Sequence, residues 1–96
     1  MKRRVVVTGM GVVTSLSCEV DDLWARVCSG ESGIHPIERF DASYFRSQIG
    51  GELRGWSTEG YLPTNEAKRL DRFAQFALVG AVDAVKHSGL DFSKVD

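Results

Sequence analysis

The sequence predicts an α/β chain that forms one edge of a larger core, and three observations carry that expectation. Residues 4–13 are rich in β-branched residues and apolar on both faces, as in a strand covered on two sides in a mainly parallel sheet. Val20, Leu23, Trp24, Val27 and Cys28 recur at i, i+3, i+4, i+7 and i+8, which draws one apolar stripe along a helix. Residues 73–85, FAQFALVGAVDAV, are apolar nearly all round, with only Gln75 and Asp83 polar. A helix of that kind belongs in the middle of a domain.

Taken in order, the strand over 4–13 contains Gly9 and Gly11, which inside a strand mark a bulge or the close approach of another backbone. The same stretch, with Lys2-Arg3-Arg4 ahead of it and Cys18 after it, has the outline of a lipoprotein signal. Thr8, Gly9 and Gly11 interrupt its apolar run, however, and Ser15 stands where such a signal carries Leu, so a buried strand explains it better. The helix that carries the apolar stripe has Glu19, Asp21 and Asp22 in its first turn, Arg26 near its end and Gly30 to stop it, all in agreement with the macrodipole and with glycine termination. Residues 29–63 are broken by Gly30, Gly33, Pro36, Gly50, Gly51, Gly55, Gly60 and Pro63 and read as a loop-rich segment. Within it, 48–54 is a candidate short strand, and Tyr44-Phe45 a candidate turn or helical segment.

The last element is a long helix over 65–88, introduced by Pro63 and by Thr64 as N-cap, with Glu66 in its first turn. Gly80 in its interior costs about 1 kcal/mol against Ala, which predicts a neighbouring element packed closely there. Gly89-Leu90 reads as a Schellman stop. One amphipathic helix and two strands cannot cover both faces of this helix, so its cover must come from elsewhere.

Composition narrows the functional classes. The 96 residues allow one domain at most, and the hydrophobic fraction of 43% excludes a disordered chain. A net charge of −1 argues against a nucleic-acid binder. Two cysteines without CxxC spacing make neither a disulfide framework nor a zinc set, which places the chain in a reducing, cytoplasmic setting with no metal. With no apolar run of about 18 residues, no membrane span is expected.

Few residues offer chemistry. Cys28 lies on the apolar stripe and reads as a small buried hydrophobe; Cys18 precedes a helix N-terminus but has no base near it in sequence. His35 reads as a loop residue, and His87, in the last turn of the long helix, as a cation favoured by the dipole. Thr8-Gly9-Met10-Gly11 suggests a phosphate loop, but Thr14 replaces the third small residue and no P-loop lysine follows. Lys68, Arg69 and Arg72 gather near the start of the long helix, where cations oppose the dipole. Docking of an acidic partner is one reason for such a cluster, and a solvated face paired to Glu66 and Asp71 is the other.

The segments RRVVVTGMGVVTSL, VDDLWARVCSGESGI, IERFDAS and KRLDRFAQFALVGAVDAVKHSGL, in this order, resemble the N-terminal part of a β-ketoacyl-acyl-carrier-protein synthase of the synthase II type. The resemblance spans nearly the whole of 1–96 and implies an incomplete piece of a thiolase-like fold, layered αβαβα in a homodimeric parent. It implies a parent acyltransferase of fatty-acid biosynthesis, needing no cofactor, in which a Cys accepts the acyl group and two His assist decarboxylative condensation. Those residues belong to motifs beyond Asp96, and neither Cys18, Cys28, His35 nor His87 matches them, so no catalytic residue is expected here. Lys68 and Arg69 match positions on which acidic acyl carrier protein docks; Asn65 stands where relatives often carry a further base. Ser15 and Ser17 replace a Pro and a Gly of the family's turn. A non-catalytic dimerisation or carrier-binding subunit, resembling a chain-length factor, is the alternative.

Overall fold

A computed structural model describes residues 2–95. The elements run α1 (Val20–Cys28), β1 (Ile34–Pro36), β2 (Ile49–Gly51), α2 (Thr64–Ala67), α3 (Arg72–Ser88) and a closing 3₁₀ turn (Phe92–Lys94). The predicted amphipathic helix forms over Val20–Cys28, with Glu19 at its extended N-cap instead of in its first turn, because the apolar stripe and the end charges agree: Asp21 and Asp22 open it and Arg26 closes it. Arg26 also pairs with Asp22 one turn back at 2.9 Å and with Glu31 beyond the helix at 3.0 Å. Gly30, at φ 76°, turns the chain away.

The loop-rich segment contains a hairpin. β1 and β2 pair antiparallel with His35 opposite Gly50, and the Ile37 N–H extends the ladder to the Gln48 carbonyl at 2.9 Å. β2 lies inside the predicted 48–54 strand, whereas β1 was not foreseen. Glu52 then fastens the hairpin just beyond β1, its carboxylate accepting from the backbone N–H groups of Glu38 and Arg39 at 3.1 and 3.0 Å. Tyr44 and Phe45 sit in a turn closed by the Phe45 N–H on the Ala42 carbonyl, and the Phe45 ring meets Phe40 edge to face at 5.8 Å.

The predicted long helix is two helices. Thr64 is the first residue of α2 instead of its cap, and Pro63 holds the cap position at φ −59°, ψ 146°. Residues 68–70 form a turn, Asp71 is extended at φ −63°, ψ 156°, and α3 starts afresh at Arg72. At the far end Gly89 adopts φ 68° as expected, but the Leu90 N–H bonds to Ser88 Oγ at 3.1 Å, which is not the Schellman pattern.

Residues 2–13 differ most from expectation. Among the described residues they have no sheet partner, and Val5 and Val7 are 95% and 84% exposed, so the buried strand is not formed within this chain. A strand covered on both faces needs neighbours in its sheet and a layer on each side. Here α3 lies against it at Gly9 and Gly11, and no second sheet layer is present among the described residues. The glycines are where the two elements meet: a Cβ on Gly11 would overlap the Gly80 carbonyl oxygen and stand 2.9 Å from the Ala84 nitrogen, and one on Gly9 would overlap the Ala84 carbonyl oxygen and stand 2.6 Å from the Ser88 nitrogen. Close approach of another backbone, one of the two expected meanings of these glycines, is therefore the correct one. A Cβ on Gly80 itself would meet nothing within 4 Å, so the close approach that the sequence assigned to Gly80 is made possible by Gly11.

The helix predicted to be buried all round is buried in this chain only at Val79, 2% exposed, while Phe73 is 73% exposed. The chain presents 8082 Å² to solvent against about 5,500 Å² for a folded monomer of its mass. Its radius of gyration, 17.1 Å, likewise exceeds the about 12–13 Å of a closed domain of this length. Cys28, expected inside, is exposed together with Trp24 and Val27, while Val20 and Leu23 at the other end of the stripe are half-buried.

Candidate functional site

The break between α2 and α3 places the basic residues differently from one continuous helix. Lys68 and Arg69 stand exposed on the turn, and Arg72 occupies the first position of α3. No ion pair among the described residues involves Lys68 or Arg69, so the predicted local pairs with Glu66 and Asp71 are not formed. Arg72 is engaged elsewhere: its guanidinium donates to the Leu53 carbonyl at 2.7 Å and lies 5.5 and 5.3 Å from the Trp56 and Phe76 rings, which pack edge to face at 4.8 Å. The three cations therefore do not act as one set. Two are presented to solvent and the third ties α3 to the 53–56 loop.

The turn is held by the backbone bonds Lys68 N–H to Thr64, Arg69 N–H to Glu66 and Leu70 N–H to Ala67, each 3.1 Å. From α3, the Gln75 amide donates to the carbonyls of Ala67 and Leu70 at 2.9 and 3.3 Å. The sequence showed Gln75 only as a polar interruption of the apolar stretch, and no signal there marked its role, because the helix break that it spans was not legible. Beside the turn, Trp56, Thr58, Thr64, Lys68, Arg72 and Gln75 line a cleft of about 500 Å³ in which Thr58 is buried.

The cysteine and histidine candidates are dispersed. Cys18 and His35 line one open cleft, but the closest polar partner of the thiol is the Thr14 carbonyl at 4.0 Å, and no hydrogen bond joins it to an imidazole among the described residues. That leaves the thiol without a base to activate it. Thr14, noted in the sequence only as a departure from a phosphate-loop pattern, builds the turn ahead of Cys18: its Oγ1 accepts from the N–H groups of Leu16 and Ser17 and donates to the Ser17 carbonyl at 2.7 Å. A hydroxyl thus organises the turn that contains Ser15 and Ser17. His87 is corrected as well. Its Nδ1 accepts the Met10 N–H at 2.9 Å, which needs a lone pair on that nitrogen, so it fastens residues 2–13 to α3 instead of acting as a cation at the helix end. Nearby, Tyr61 donates to Asp83 at 2.8 Å, and this bond to the carboxylate raises the tyrosine pKa. Among the described residues, no group of His, Cys, Asp and Glu is arranged to hold a metal ion, and no helix is long and apolar enough to cross a membrane.

The fold places the chain among the ketosynthases. It matches a solved structure, "The ishigamide ketosynthase/chain length factor", with a TM-score of 0.82 and 31% identity, over 99% of this chain and 24% of that one. More particularly, the chain belongs to the family described as beta-ketoacyl synthase, N-terminal domain, which matches residues 2–96. It is 41% identical over 95 residues to 3-oxoacyl-[acyl-carrier-protein] synthase I, chloroplastic, of Arabidopsis thaliana, covering 99% of this chain and 20% of the relative. It is 42% identical over 95 residues to 3-oxoacyl-[acyl-carrier-protein] synthase 2 of Coxiella burnetii, covering 99% and 23%. The chain thus spans about a fifth of the length of these curated relatives. The resemblance read from the sequence is borne out, and so is its ketosynthase-type α/β fold.

Proposed function

We propose that this chain is the N-terminal part of a 3-oxoacyl-[acyl-carrier-protein] synthase of fatty-acid biosynthesis, and that Lys68 and Arg69 dock the acyl carrier protein. The parent is a transferase that joins an acyl and a malonyl group with loss of CO2, in a homodimeric, five-layered thiolase-like fold. Family membership and relatives of that name support the reaction. The exposed faces of residues 2–13, α1 and α3 suit a layered core completed from outside these residues. One observation supports the docking role: Lys68 and Arg69 project from a turn, exposed and with no carboxylate partner among the described residues, where an acidic surface gains full electrostatic attraction. Arg72 is excluded from that role by its bond to Leu53.

The test is charge reversal. Lys68→Glu with Arg69→Glu in the full-length polypeptide should weaken acyl-carrier-protein binding at least about tenfold at low salt, and leave acylation by a small thioester intact. Equal binding by variant and wild type would remove the docking role.

A second reading is a non-catalytic subunit that keeps the dimer or carrier surface. The similarity to the solved ishigamide ketosynthase/chain length factor favours it. An Ala-Cys-Ser/Thr motif and two later histidines in the continuing sequence would decide for the enzyme.

A further inference from the structure

We infer that Gln75 is a positioning residue for carrier-protein docking, a clamp that sets the turn from which Lys68 and Arg69 project. This rests on the docking role proposed above. The Gln75 amide has two N–H groups, and they reach the carbonyls of Ala67 and Leu70, the residues on either side of Lys68-Arg69. Ala67 is buried, so one end of the turn is fixed in the interior, and the Gln75 backbone is itself fixed by α3. Arg72 holds the first turn of α3 against Leu53 and Trp56, its guanidinium also lying over the Phe76 ring of the same helix. The backbone under the two cations is therefore tied to the 53–56 loop through α3, while their side chains remain free.

The chemistry of the clamp is specific to an amide. A carboxylate at position 75 would face two carbonyl oxygens without donors, and a shorter amide would not reach both. The consequence is energetic preorganisation: a partner that meets cations on a fixed turn loses less conformational freedom on docking than one that must first order it.

Gln75→Met keeps length and helix preference and removes both donors. In the full chain, with unacylated acyl carrier protein as the probe, it should weaken binding about three- to tenfold and speed amide exchange at residues 68–70. In a Lys68→Ala/Arg69→Ala background the same substitution should add less than about a twofold loss, because a residue that acts through those cations has nothing left to orient. Gln75→Leu is the second variant should Gln75→Met lose its helical signal. Wild-type affinity, unchanged exchange at 68–70, or the same fold-loss in both backgrounds would overturn the clamp. If Lys68→Ala/Arg69→Ala itself binds like wild type, the docking role falls and the clamp's part in it falls too; this outcome is told apart because failure of the clamp alone leaves that double variant weak.

Discussion

Exchanging glycine for alanine at two facing positions should move stability in opposite directions. At Gly11 the added Cβ would overlap the Gly80 carbonyl oxygen and stand 2.9 Å from the Ala84 nitrogen, both parts of the α3 backbone that no rotamer change can move. Relief requires the extended segment and the helix to separate by about an ångström, and overpacking of that kind costs typically about 1–3 kcal/mol. The upper half of that range applies, because the obstruction is backbone. At Gly80 a Cβ meets nothing within 4 Å, so Gly80→Ala should gain about 0.5–1 kcal/mol from helix propensity. The two variants should therefore differ by about 3 kcal/mol, more than a hundredfold in the folded-to-unfolded ratio. Urea unfolding followed by helical circular dichroism measures this as opposite shifts of the midpoint. If Gly11→Ala unfolds with the wild type, or Gly80→Ala is the damaging change, then the residues 2–13 do not lie on α3 in the way described.

Other outcomes rest on single contacts. The bonds from Glu38 and Arg39 N–H, with Arg54 assisting, hold the Glu52 carboxyl below the ordinary glutamate range; its stabilisation is present above the unfolded-state value and is lost as pH falls through the depressed folded value. Glu52→Gln should abolish that acid-dependent step in an NMR titration of the Glu38 and Arg39 amides, and an unchanged titration would refute the assignment. Tyr61→Phe should cost about 0.5–1 kcal/mol in urea unfolding, since it removes an exposed bond to the Asp83 carboxylate. The raised tyrosine pKa makes this contribution present at neutral pH and lost as pH rises through the folded-state value, so the gap between variant and wild type should narrow in alkali. The 96-residue chain alone should show no condensing activity, and intact-mass detection of acyl transfer to Cys18 or Cys28 would contradict that.

The parts legible in the sequence are those fixed by local chemistry. α1 could be bounded because its stripe, its end charges and Gly30 all point the same way. The break at 68–71 was hidden because Lys, Arg, Leu and Asp carry no strong helix-breaking signal; it arises from Asp71 turning extended while Arg72 reaches back to Leu53. β1 escaped because a three-residue strand ending in Pro36 has no period to detect. His87 was assigned to the wrong chemistry since its partner, Met10, is distant in sequence and brought close only by the glycines that let the extended segment onto α3. For the docking turn, the residue types were readable from the sequence and their separation was not: Lys68 and Arg69 face solvent, and Arg72 faces two rings.

The uncovered residues 2–13 also bear on how such a chain is made. In a relative as long as the Coxiella burnetii synthase, of which this match covers 23%, roughly 300 residues are translated after it, which takes about 15–60 s at ordinary rates. Val5, Val6 and Val7 are exposed in this chain and rich in β propensity, the kind of stretch that another nascent chain can pair with through such an interval. Lys2, Arg3 and Arg4 stand directly before them, three like charges that repel another copy of the same stretch.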